Sequence, residues 1–190
     1  MIYLASQSPR RRELLSQIGI QYKSVPAEIN ETPRQNEVPI DYVIRMAREK
    51  ALCAAGQHQD KPLLAADTTV VCNNRILGKP RDKQHFLEMM DCLSGNSHDV
   101  ITAIAITKGA NPSSLLTATS TSKVCFRELT TSETDAYWQT GEPADKAGGY
   151  AVQGMAAAFI SDIHGSYSGI MGLPLFETAE LLKKFAVKVI

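Results

Sequence analysis

The 190-residue sequence has no excess charge of either sign, with 20 basic residues against 20 acidic ones. No overall field is available to recruit nucleic acid or an anionic membrane, so any polyanion must be held by a local cluster. No aromatic stacking cluster sits in a basic patch, and a nucleic-acid partner is not expected. No hydrophobic run reaches the length of a bilayer span, and the N-terminus lacks a basic segment followed by an apolar one. No membrane partner is expected, and the cytoplasm is the expected compartment. The cysteines at 53, 72, 92 and 125 form no Cys-x-x-Cys pair. They read as small core residues in a reducing compartment rather than as a disulfide or zinc framework. Walker and Rossmann glycine spacings are missing, as are internal repeats, low-complexity tracts and any clear linker.

What is present is an ordinary 44% of apolar residues, enough for one domain over residues 1–190, or two small lobes sharing one sheet. The stretch Leu63 to Asp82, LLAADTTVVCNNRILGKPRD, stands out. It reads as a β-strand entering a hairpin at Asn73-Asn74, with Leu64, Ala66, Thr68 and Val70 on one side and Leu63, Ala65, Asp67, Thr69 and Val71 on the other. Asp67 is thereby set in an apolar strand, where a carboxylate is costly unless paired, hydrogen-bonded or bound to a metal. A frayed strand end satisfied by a backbone amide would also accommodate it.

Other misplaced charges accompany it. The chain opens with a strand, Ile2 to Ala5, and a helix with Ser8 at its N-cap, Pro9 at its first position and Gly19 as its stop. Arg11 shares a face with Leu14, Leu15 and Ile18, and Arg10, Arg11 and Arg12 crowd the positive end of the helix dipole. That mismatch costs roughly 0.3–1 kcal/mol per charge unless an anion is bound. A strand is expected over Ile20 to Val25, then a loop from Pro26 to Pro39 holding Glu28 and Glu31, which are either solvated charges or oxygen ligands for a hard cation. A helix over Asp41 to Ala55 carries Lys50 in its apolar stripe. That lysine either snorkels outward or joins a buried polar cluster with Asp67 and Arg11. A binding role predicts that Lys50→Met weakens substrate binding and leaves the fold as stable or more so.

Downstream, Gly78-Lys79-Pro80 forms a tight turn before a helix ending at Ser94, with Phe86, Met89, Met90 and Leu93 as its core face. Two long strands follow, about Val100 to Thr107 and Leu115 to Phe126, the second rich in Thr and Ser and therefore wet on one face or at an edge. Thr130-x-x-Glu133 is a capping box opening a short helix. In EPADKAGGYAVQG, Glu142 to Gly154, Gly148-Gly149 allows close backbone approach and Gln153 offers a donor and an acceptor to a base edge. Alternating strands and helices followed by long hairpins point to an α/β fold around a mixed sheet.

LASQSPRRRELL, AREKA around Lys50, AADTTV at Asp67, LGKPRD at Lys79, LSG at 93–95, EPADKAGGYAVQG and GLPL at 172–175 together resemble the Maf family of nucleoside triphosphate pyrophosphatases, over roughly Leu4 to Phe185. The resemblance implies an elongated mixed sheet with flanking helices and two lobes around a central cleft, akin to inosine triphosphate pyrophosphatases. It also implies hydrolysis of a nucleoside triphosphate to monophosphate and pyrophosphate with a divalent cation, Mg²⁺ or else Mn²⁺ or Co²⁺. Asp67 matches the family's catalytic acid and Glu31 a carboxylate beside the metal, while Ser6, Arg11, Lys50 and Lys79 match phosphate contacts. Arg10, Thr68 and Gln153 match the branch that prefers dTTP and UTP; the 7-methyl-GTP branch has Trp, Gln and Glu at those places. Asn30 departs from the pattern, since an acid is common there, and metal stoichiometry stays open. Two rivals are 7-methyl-GTP hydrolysis and a non-catalytic nucleotide-binding regulator of septum formation. Retention of Asp67, Glu31 and both lysines argues for the enzyme. A homodimer is compatible with the sequence but not specified by it.

Overall fold

The structure, a computed structural model, describes residues 1–189. In chain order its elements are β1 (Ile2–Ala5), α1 (Pro9–Gln17), β2 (Tyr22–Ser24), α2 (Pro39–Ala55), β3 (Leu63–Cys72), β4 (Arg75–Leu77), α3 (Lys83–Leu93), β5 (Ser97–Thr107), β6 (Leu116–Phe126), α4 (Thr131–Gln139), β7 (Ile160–His164), α5 (Tyr167–Met171) and α6 (Leu175–Lys184). Short 3₁₀ turns fill Glu142–Asp145, Ala147–Gly149 and Met155–Phe159. One mixed seven-stranded sheet runs in the order β2-β1-β3-β5-β6-β7, with β4 paired to β3. β1 lies parallel to β2 and β3, and the remaining pairs are antiparallel.

The apolar alternation of β3 sorts its side chains as expected. Leu64, Ala66, Val70 and Cys72 join Leu15, Phe86, Met90, Ile104 and Ile106 in one core. Leu63 and Ala65 join Val43, Met46, Ala47 and Ala51 of α2 in another, where Ala103 and Ala105 keep the sheet surface low enough for the helix to lie close. Asn73 and Asn74 both take positive φ, 49° and 60°, which is the two-residue turn that matches strand twist. The capping box forms as expected, with Thr130 and Glu133 satisfying each other's backbone amides.

One feature of this sheet positions the site. β5 pairs with β3 from Leu63 to Val71, but the other edge of β3 is shared: β1 covers Leu63 to Ala65 and β4 covers Val70 to Cys72. The backbone from Ala66 to Thr69 therefore has no strand on that side among the described residues. The opening lies just past the carboxyl end of β1, where open α/β sheets place ligands.

Two expectations are corrected, the extent of β2 and the reading of the cysteines. β2 is shorter than Ile20 to Val25, because the Ile20 amide closes the end of α1 on the Leu15 carbonyl. The Thr- and Ser-rich β6 is in part the edge expected of it: β7 pairs with Lys123 to Phe126, and no strand covers Leu116 to Ser122 among the described residues. Cys72 and Cys92 are joined as a disulfide with their Cα atoms 6.6 Å apart, because the end of β3 packs against α3. Cys53 is exposed rather than core, and it and Cys125 are free thiols. Cysteine usage thus gives no support to a reducing compartment. No helix is long and apolar enough to cross a membrane among the described residues.

Candidate functional site

Successive residues of β3 point to opposite faces, so Asp67 and Thr68 divide the opening between them. Asp67 faces α2. Its Oδ1 accepts from Lys50 Nζ at 2.7 Å, and the same ammonium lies 2.8 Å from Glu31 Oε1 in the loop before α2. The helix period sets Lys50 in line with Met46 and Ala47, so the apolar stripe that seats α2 on the sheet also delivers the ammonium to Asp67. Burial pushes the Glu31 carboxyl up, but Lys50, with Lys79 and Arg11 nearby, overcomes that and holds it below the usual carboxylate range. The loop is tied down by Arg45, which donates from Nε to Glu37 Oε1 at 2.6 Å, and by the Tyr42 hydroxyl, which donates to the Glu31 carbonyl at 2.9 Å. Burial, with Asp67 and Glu31 close by, pushes the Tyr42 phenol up to about 12.

On the other face Thr68 meets α1. Arg11 spreads its guanidinium across Gly172 carbonyl (2.8 Å), Ser6 Oγ (3.3 Å) and Thr68 Oγ1 (3.2 Å), and Thr68 shares a further hydrogen bond of 2.9 Å with Thr102. Arg10 donates to the Met171 carbonyl at 3.3 Å. Burial lowers the pKa of both arginines, opposed by Asp145 at Arg10 and by Asp67 at Arg11. Ser8 occupies the N-cap position of α1, yet its hydroxyl makes no cap hydrogen bond, and the first turn contains no acid. A positive helix end with its cap unused and two desolvated guanidiniums beside it is suited to a phosphate.

A single cavity of about 750 Å³ joins the two halves, lined by Ser6, Arg10, Arg11, Glu31, Lys50, Asp67, Thr68, Lys79 and Gln153. These nine residues therefore reach one cleft, whereas Glu28, the other acid offered as an oxygen ligand, does not line it. Lys79 and Gln153 line it without side-chain hydrogen bonds to the other residues named. Sequence reasoning missed the Met171 and Gly172 carbonyls that aim the arginines, as well as Thr102 and Tyr42. The signal available for the first pair was the glycine of GLPL: Gly172 has φ +112°, and a Cβ there would crowd Thr68 Oγ1 at 3.3 Å and Arg11 Nε at 3.4 Å.

The donor set also bears on a metal. No group of three or more His, Cys, Asp or Glu is placed to hold an ion among the described residues. Glu31 and Asp67 nevertheless converge on one cationic point, the Lys50 ammonium. Two carboxylates completed by phosphate oxygens and water suit Mg²⁺ or Mn²⁺ and would not suit a soft thiophilic metal.

The fold and site define a mixed α/β protein with a cation-lined, carboxylate-bearing cleft at the carboxyl end of a strand, a class suited to polyphosphate ligands. The chain belongs to the Maf-like protein family, whose model matches residues 1–185. A dTTP/UTP pyrophosphatase of Alkalilimnicola ehrlichii is 48% identical over 192 residues, covering 98% of this chain and 93% of that protein. A dTTP/UTP pyrophosphatase of Saccharophagus degradans is 47% identical, covering 99% of this chain and 90% of its own. A HAM1 protein of known structure from Coxiella burnetii superimposes with a TM-score of 0.54 at 18% identity, over 96% of this chain and 98% of that one, which is a likeness of fold.

Proposed function

We propose that the protein hydrolyses dTTP and UTP to the monophosphate and pyrophosphate, with modified pyrimidine nucleotides as further candidates. The observation that carries this reading is the Asp67–Lys50–Glu31 cluster at the gap in the sheet, in the same cleft as Arg10 and Arg11. Relatives at 47–48% identity bear the name of that activity.

In this reading water attacks the α-phosphorus, the bond to the α–β bridging oxygen breaks, and pyrophosphate leaves. Asp67 orients the water and takes its proton as general base. Lys50 holds the Asp67 carboxylate in place. Arg11, Ser6 and Lys79 contact the phosphates and offset the charge that develops on them. Arg10, Thr68 and Gln153 lie where a base and sugar would be read. A divalent cation held by Glu31 and Asp67 would offset phosphate charge and make water more acidic.

The test is pyrophosphate release from dTTP, UTP, CTP, 7-methyl-GTP and ITP with Mg²⁺ or Mn²⁺, comparing wild type with Asp67→Asn. Turnover should concentrate on dTTP and UTP and fall by at least about 10²-fold in the variant, with binding retained. Near-normal turnover in Asp67→Asn would remove that residue from the chemistry. Nucleotide binding with no turnover of any substrate would instead favour the regulator.

A further inference from the structure

Gln153 projects into the cleft from a loop with no regular structure, yet a side chain that selects a base must be held within a fraction of an ångström. The loop is short of internal hydrogen bonds: the Gly154 amide closes a turn on the Ala151 carbonyl at 3.0 Å, with Gln153 at its third position. Its rigidity has to come from outside.

Two side chains that do not line the cleft supply it. Tyr137 on α4 is 3% exposed and packed edge-on against Phe159 and tilted against Phe86, so its ring cannot swing. Its hydroxyl donates to Glu142 Oε1 at 2.6 Å and accepts from the Ala151 amide at 3.4 Å. The other oxygen of Glu142, Oε2, accepts from the Met155 amide at 3.1 Å. The pair thus grips the backbone two residues before and two residues after Gln153. Gly154 fits the same contact, since a Cβ there would overlap the Glu142 carboxylate. On the upstream side the Tyr150 hydroxyl is hydrogen-bonded to buried His98 Nε2 at 2.7 Å. Burial, reinforced by Glu142, raises the pKa of Tyr137, which keeps its phenol a donor.

We infer that Glu142 and Tyr137 are positioning residues for base selection, acting through the Gln153 turn rather than on the triphosphate. The inference rests on the reading of Gln153 as a base contact in the proposed function. Glu142→Gln leaves one amide or hydroxyl without its acceptor, and Tyr137→Phe strips the Ala151 amide of its partner. Both should relax the loop without moving Asp67.

The experiment compares wild type, Glu142→Gln, Tyr137→Phe, Gln153→Ala and the Glu142→Gln/Gln153→Ala double variant. The kcat/KM ratio for UTP over ITP should fall about tenfold in each single variant, chiefly through KM, the scale of one charged hydrogen bond. Turnover of ribose 5-triphosphate, which has no base, should stay unchanged in Glu142→Gln and Tyr137→Phe. In the Gln153→Ala background, Glu142→Gln should change the ratio by less than about twofold, because residues that act as a unit are not additive. An unchanged ratio, an equal loss on the base-free substrate, or additive losses would each overturn the inference.

UMP affinity by calorimetry separates this inference from the reading it rests on. A wild type without turnover whose UMP affinity drops about tenfold in the same non-additive pattern would overturn the catalytic reading and support the brace. Normal wild-type turnover with flat variants would do the reverse.

Discussion

Replacing Lys50 by Met removes the cation that two carboxylates share, and the structure changes the expected sign of the stability effect. The side chains of Lys50 and Asp67 are each 12% exposed, and Glu31 is 56% exposed. Substituting both members of a buried ion pair by apolar groups is often neutral or stabilising, but removing one leaves a buried charge unpaired, at about 3–5 kcal/mol. Asp67 borders an open cleft, so the loss should be nearer a single charged hydrogen bond, about 2 kcal/mol. In a chain of this length that lowers Tm by about 4–8 °C. The assay is thermal unfolding at neutral pH of wild type, Lys50→Met and Lys50→Met/Asp67→Asn, the double variant recovering most of the loss. Carboxyl NMR gives a second readout: without Lys50, burial of Glu31 is opposed only by Lys79 and Arg11, and its pKa should rise. A Tm shift below about 1 °C in Lys50→Met, with Glu31 unmoved, would refute the Asp67–Lys50–Glu31 arrangement.

Arg11→Lys keeps the charge and loses the fork that spans Gly172, Ser6 and Thr68; KM for UTP should rise about tenfold, and an unchanged KM would show that charge alone suffices. His98 is 2% exposed and burial lowers its pKa from 6.5 to about 4. The unfolded chain therefore binds the extra proton between those values, so stability present above pH 6.5 should fall by up to about 3 kcal/mol as pH drops to 4. Urea unfolding at pH 7 and 4.5 should register that loss and show a smaller one in His98→Phe. Thiol labelling of the unfolded, unreduced protein should find Cys53 and Cys125 reactive; labelling of Cys72 and Cys92 as well would contradict their pairing.

The parts of the site legible in the sequence are those in which a charge interrupts an apolar period. Asp67 breaks the alternation of β3, Lys50 the stripe of α2 and Arg11 that of α1, and each violation of local patterning marks a place where the fold accepts a cost for function. Periodicity reports which face a side chain takes, so Asp67 and Lys50 could be aimed at a common interior, and they meet at 2.7 Å. It reports nothing about which strands adjoin. The opening beside Ala66 to Thr69 exists only because β1 stops at Ala5, opposite Ala65, and β4 starts opposite Val70, on a strand whose other edge is paired from Leu63 to Val71. That is a property of three strands together. The same limit hid the Met171 and Gly172 carbonyls, 161 residues from the arginines they orient, and the Cys72–Cys92 pairing, which depends on how α3 returns to the end of β3. Glu142 was hidden for a different reason. It reads as an ordinary acid at a loop start, and only the packing of Tyr137 against Phe86 and Phe159 turns it into a grip on the turn that carries Gln153.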